Sequence, residues 1–159
     1  MVEYKTSFYT FVFPFLAAFY LSERKDLNQF IVIFVDTLKN FGLLFQIQDD
    51  YLDVFGDSQI TGKIGTDIQD GKCTWLTVQL IDLMSDEHKK EFETHFGVNN
   101  TDSINLIKDL YIKYDLKELF QNTINKLIID TIKVIDQISP EPFADYYKKF
   151  IQSLQSREK

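Results

Sequence analysis

Between Leu27 and Phe55 the apolar side chains Phe30, Phe34, Leu38, Phe41, Phe45 and Leu52 recur at intervals of three, four or seven residues, the period of an α-helix. A helix of that length with an apolar face must be covered by other elements, so it dictates the architecture around it. Strands find little support as that cover. The chain has only six Gly and three Pro, which is too few turn signals for many short strands. Fifteen Phe and eight Tyr call for a large core, which 159 residues in one domain can build. The expected fold is all-α.

Other helices can be placed around this one. Residues 8–21 are apolar nearly all round and predict a helix buried on most sides, after a flexible polar start at Tyr4-Lys5-Thr6. That run contains Pro14 and falls short of the roughly 20 residues a membrane span needs. Residues 57–72, punctuated by Gly62, Gly65 and Gly71, break the helical period and read as a structured loop. A helix is predicted over 74–83. Ser85 caps the next, which ends at Gly97, and Thr101 caps another reaching about Lys113. Asp115 and Glu118 have the spacing of a capping box opening a long helix to Ile138. Ser139-Pro140 suits the start of a last helix to about Leu154.

The net charge is −7, and no basic block is present, which argues against nucleic acid or an anionic membrane surface as partner. One cysteine, Cys73, excludes an internal disulfide and a cysteine-rich zinc site, and points to a reducing, cytoplasmic setting. Chemistry concentrates elsewhere. Gln46, Asp49, Asp50 and Asp53 share one helix face by their spacing. Like charges so placed repel, and aspartate is a poor residue in a helix interior. A solvated acidic face is one reading of them; a divalent-cation site is the other. Carboxylates are the hard oxygen ligands that Mg²⁺ prefers, and this ion takes one or two of them together with phosphate oxygens and water.

The following loop favours the metal reading. Lys63 lies between Gly62 and Ile64, and Lys72 follows Gly71, so two ammonium groups stand where backbone amides can also approach a phosphate. A nucleotide P-loop is excluded: five residues separate Gly56 from Gly62, Ile64 follows Lys63, and no strand leads in.

Three stretches together resemble the trans-type polyprenyl diphosphate synthases, and within them the eukaryotic farnesyl diphosphate synthases. They are Tyr4-Lys5-Thr6-Ser7-Phe8-Tyr9, then Phe45-Gln46-Ile47-Gln48-Asp49-Asp50-Tyr51-Leu52-Asp53, then Thr61-Gly62-Lys63-Ile64-Gly65-Thr66-Asp67-Ile68-Gln69-Asp70 with Lys72-Cys73-Thr74-Trp75. The resemblance implies an all-α bundle around a deep cavity. It implies that Asp49, Asp50 and Asp53 are the second aspartate-rich motif, binding Mg²⁺ (or Mn²⁺) and an allylic diphosphate. Lys5 and Lys63 then reach that diphosphate, Thr6 and Gln46 lie beside the developing allylic cation, and Asp67 and Lys72 sit in a loop that orders on binding. The implied reaction condenses isopentenyl diphosphate with dimethylallyl or geranyl diphosphate.

One departure is large. Asp49 to Asp53 is the only DDxxD here, whereas the family carries a first such motif, an arginine pair and the isopentenyl diphosphate ligands in its N-terminal half. Residues 1–159 are therefore expected to be the C-terminal part of a polyprenyl synthase domain. It would work with the missing half or as a homodimer, and would leave part of the Phe-rich first helix uncovered. The alternatives are a truncated, non-catalytic homologue that binds a prenyl diphosphate or a partner subunit, and a helical interaction domain with an incidental acidic face.

Overall fold

The computed structural model describes residues 3–62, 64–137 and 141–155, and among these every regular element is a helix. A π-helical stretch, Glu3–Val12, runs directly into α1 (Phe13–Leu21), and a short 3₁₀ turn, Lys25–Phe30, runs into α2 (Ile31–Phe55). There follow α3 (Ser58–Thr61), α4 (Trp75–Leu83), α5 (Asp86–His95), α6 (Thr101–Lys113), α7 (Leu116–Ile135) and α8 (Glu141–Gln155). The all-α expectation holds. The chain divides into two compact units: residues 1–46 with 124–159, and residues 47–123.

In the first unit, helical backbone starts earlier than the sequence suggested. Tyr4, Lys5 and Thr6 are not a flexible lead but part of the π-helical stretch, and Thr6 is buried. The change to α-helical spacing falls at Phe13-Pro14, where proline has no N–H to place in either register. The expectation that this helix is buried on most sides fails. Val12 and Phe19 are buried, but Tyr9, Phe13, Tyr20 and Leu21 are exposed, an apolar patch of the kind that marks an interface. Gly42 explains how closely α2 meets the π-helical stretch: a Cβ there would lie 2.6 Å from Ser7 Cβ. The Ser7 hydroxyl donates to the Lys39 carbonyl at 3.1 Å across that approach. The aromatic residues gather beyond it, with Phe41 packing on both Tyr147 and Phe150 of α8 and Phe11 on Phe45 and Phe150. They leave a cavity of about 630 Å³ walled by Phe11, Phe15, Leu38, Phe41 and Phe150.

By length and composition, Asn28–Phe55 could cross a membrane, a helix that the membrane reading of residues 8–21 overlooked. It also buries Phe34, Leu38, Phe41 and Leu44, as a core helix does.

The second unit packs Val54 of α2 with Leu76 and Leu80 of α4, Phe92 of α5, and Ile107, Leu110 and Tyr111 of α6. Tyr51 stacks on Phe120 with ring centroids 3.8 Å apart and planes 8° from parallel. The cap at Ser85 is as expected, its hydroxyl accepting the His88 N–H, whereas Thr74, read as the first helical residue, instead caps α4 with its hydroxyl accepting the Thr77 N–H. Two other caps differ. Asn100, not Thr101, caps α6, its Oδ1 accepting the Ser103 N–H at 2.8 Å. Asp115 has φ +53, in the left-handed region, which is incompatible with the extended backbone of a capping box. Ser139-Pro140 lies outside the described residues. The α6 assignment is testable: Asn100→Ala is expected to cost about 1 kcal/mol in urea denaturation and Thr101→Ala only a few tenths. Equal effects would return the cap to Thr101.

Candidate functional site

The aspartates project from the last two turns of α2, in the second unit. Asp49 and Asp53 are half-buried and Asp50 is buried. A buried carboxylate needs hydrogen-bond donors, and backbone amides supply them. The Trp75 N–H, first in α4, donates to Asp50 Oδ2 at 2.7 Å, so Asp50 also faces the positive end of that helix. The Asp67 N–H donates to Asp53 Oδ1 at 2.9 Å. Residues 67 and 75 thus bracket one loop, and both ends rest on α2 through the carboxylates that the sequence reading assigned to metal.

Close approach makes those bonds possible. A Cβ on Gly65 would fall 2.6 Å from the Asp53 carbonyl carbon and 2.7 Å from its Oδ1. Only glycine lets the loop lie on the helix backbone there. From Asp67 the chain folds back on itself: the Lys72 N–H donates to the Asp67 carbonyl at 3.0 Å, and the Lys72 ammonium donates to Asp67 Oδ1 at 2.6 Å. Asp70 Oδ2 stands 3.8 Å from the same ammonium. The hydrogen bond from Lys72 to Asp67 raises the Lys72 pKa, with Asp53 and Asp70 adding to it, so the group is a fixed positive charge at neutral pH.

In the first unit, the Thr6 hydroxyl donates to Gln46 Oε1 at 2.6 Å, bringing together two of the expected residues, while Lys5 is exposed. Lys63 lies outside the described residues. Sequence reasoning missed the backbone donors of Asp67 and Trp75. It also missed Lys108, which lines a cleft of about 420 Å³ with Asp53, Ser58, Gly65 and Gln69.

Among the described residues, no three His, Cys, Asp or Glu side chains converge as a ready-made metal shell. The donor set nevertheless suits Mg²⁺, which takes only one or two carboxylates and completes its octahedron with water and phosphate. A carboxylate accepts about four hydrogen bonds over two oxygens, so an N–H such as those on Asp50 and Asp53 orients the group while taking one of several places. Backbone N–H groups in such positions can aim a carboxylate that ligates a metal.

The family model described as Polyprenyl synthetase matches residues 1–114, and the chain belongs to that family. It is 35% identical over its full length to the farnesyl pyrophosphate synthase of Panax ginseng, spanning 46% of that protein. It is 41% identical over 124 residues to the farnesyl pyrophosphate synthase of Homo sapiens, which covers 76% of this chain and 28% of that protein. Among solved structures, T. brucei farnesyl pyrophosphate synthase matches 99% of this chain and 48% of its own, with a TM-score of 0.84 and 26% identity. At most, the chain spans about half the length of these relatives.

Proposed function

We propose that this chain supplies the diphosphate- and metal-binding part of a trans-prenyltransferase of the farnesyl diphosphate synthase kind. The observation that carries this reading is the loop from Asp67 to Trp75, which orients Asp50 and Asp53 by backbone N–H groups and fixes the Lys72 ammonium. Its substrates are an allylic diphosphate, dimethylallyl or geranyl, and isopentenyl diphosphate.

Asp49, Asp50 and Asp53 are the residues to hold Mg²⁺, or Mn²⁺ in its place. When bound, the ion supplies charge neutralisation to the departing diphosphate. Lys5, Lys63 and Lys72 bind diphosphate oxygens and take up the charge that builds as the allylic C–O bond breaks with its electron pair. The Gln46 amide oxygen, held by the Thr6 hydroxyl, presents a negative dipole suited to the allylic cation. The isopentenyl double bond attacks that cation, a C–C bond forms, and the new cation gives up a proton to the released diphosphate to restore a double bond. Water would quench the cation, so the reaction calls for an apolar, aromatic surround for the hydrocarbon chain.

Residues 1–159 are read as the C-terminal part of the synthase domain, with the first aspartate-rich motif supplied by a complementary N-terminal half; a homodimer is the other association proposed. The exposed Tyr9, Phe13, Tyr20 and Leu21 favour such a partner. They equally suit a second reading, a non-catalytic homologue that binds a prenyl diphosphate or a partner subunit.

Calorimetry with inorganic diphosphate tests the site: binding is expected with Mg²⁺ and not with EDTA. Product formation separates the two readings. The chain alone is expected to condense isopentenyl with geranyl diphosphate negligibly, and a polypeptide carrying the first motif is expected to restore turnover. Metal-independent binding would remove the site assignment, and a mixture that stays inactive would favour the non-catalytic homologue.

A further inference from the structure

A buried hydroxyl chain lies behind the loop lysine. Thr77, in the first turn of α4, is buried, with its Oγ1 3.4 Å from the Lys72 carbonyl, 2.9 Å from Thr74 Oγ1 and 3.1 Å from the Tyr111 hydroxyl of α6. A hydroxyl has one proton to donate and two lone pairs to accept with, so all three contacts are hydrogen bonds at once in one arrangement. A carbonyl cannot donate, so the Thr77 proton goes to Lys72. Thr77 then accepts from Tyr111 and from Thr74, whose own oxygen accepts the Thr77 N–H at 3.2 Å. Every proton in this chain of hydroxyls points toward the Lys72 backbone.

Tyr111 is suited to the head of such a chain. It is 1% exposed, and burial pushes its phenol up to about 12, so it stays a donor across the working range of pH. Lys72 is thereby held at three places: its N–H on the Asp67 carbonyl, its carbonyl by Thr77 and by the Thr74 N–H at 3.0 Å, and its ammonium on Asp67 Oδ1. Asp67 in turn aims Asp53. We infer that Tyr111 is a positioning residue, acting through Thr77 to fix Lys72 for a metal-bound diphosphate. The inference rests on the diphosphate site proposed above and adds residues that touch neither metal nor substrate.

The experiment measures affinity for inorganic diphosphate in Mg²⁺, with urea denaturation run in parallel. Tyr111→Phe keeps the ring and loses the donor, and its affinity is expected to fall about five-fold, the effect of one buried hydrogen bond. Thr77→Val is expected to fall at least as far, and Thr77→Ser, which keeps the hydroxyl, to bind like the unaltered chain. A double-mutant cycle excludes a general loss of packing. In a Lys72→Met background, Tyr111→Phe is expected to change affinity no further, because the ammonium it positions is gone. Additive effects, or a Tyr111→Phe chain that binds as tightly as the unaltered one, would overturn the inference while leaving the diphosphate site in place. An unaltered chain without Mg²⁺-dependent binding would overturn the site itself, and the inference with it.

Discussion

Replacing Asp49 and Asp53 together by alanine is expected to lower Mg²⁺-dependent diphosphate affinity by about a hundred-fold or more, some 2.7 kcal/mol. The two lie one helical turn apart, and on the proposed reading they supply the hard oxygens that anchor an ion able to bridge protein and phosphate. Part of any loss at Asp53 has another source, because its Oδ1 accepts the Asp67 N–H. Removing that acceptor costs about 1 kcal/mol of stability and loosens the loop carrying Lys72. Asp53→Asn separates the two roles. The amide keeps an oxygen for the Asp67 N–H but loses the charge, so it is expected to unfold in urea like the unaltered chain and still bind diphosphate poorly in Mg²⁺. If the double alanine variant kept the affinity of the unaltered chain, these aspartates would not be the metal ligands.

Asp50 is different in kind. It is buried, and its Oδ2 takes the Trp75 N–H at the start of α4, so it joins two helices as well as belonging to the proposed site. Changes there are expected to mix stability with binding, which makes Asp50 a poor choice for assigning ligands and a good one for probing how the loop is held.

How far the sequence reveals this depends on how local each cause is. The helical run ending at Phe55 was legible because apolar spacing survives whatever packs on it, although its first turn, Lys25–Phe30, proves to be 3₁₀. Ser85 was legible as a cap because a hydroxyl needs only the N–H three residues on, and Thr74, of the same chemistry, was taken one position too far into its helix. Asn100 and Thr101 both have the chemistry of a cap, and backbone conformation alone chose between them. Asp115 has the right spacing to Glu118 but the wrong φ, which no spacing reveals. Composition alone misjudged the outer face of α1, because it states how apolar a helix is and not what covers it; only the resemblance to half a bundle implied an uncovered face. At the site, the aspartate face was legible from spacing along one helix. The donors that aim it come from 14 and 25 residues further along the chain, and the Thr77–Tyr111 pair from elements 34 residues apart. Contacts at that separation depend on the packed unit, and the sequence registers them only as a threonine and a tyrosine at unremarked positions.

Gly65 offers the most severe test of that packed arrangement. Gly65→Ala is expected to destabilise the second unit by about 2–4 kcal/mol, read as a lower urea midpoint, and to abolish diphosphate binding together with the loop. The added methyl would meet the backbone carbonyl of Asp53, part of a helix ladder that cannot turn aside as a flexible side chain does. The loop must then lift from α2, stretching the Asp67 N–H bond to Asp53 and drawing Ile68, 3% exposed, out of the core. Gly62 is the internal comparison. Its φ of +70 disfavours alanine, but nothing lies within 4 Å of a Cβ there, so Gly62→Ala is expected to cost only about 1–2 kcal/mol, from backbone strain alone. A larger effect at Gly65, with diphosphate affinity lost there and kept at Gly62, is what a loop seated on the helix requires. Were Gly65→Ala as stable as the unaltered chain, the loop could not rest on α2, and the backbone donors assigned to Asp50 and Asp53 would have to be given up.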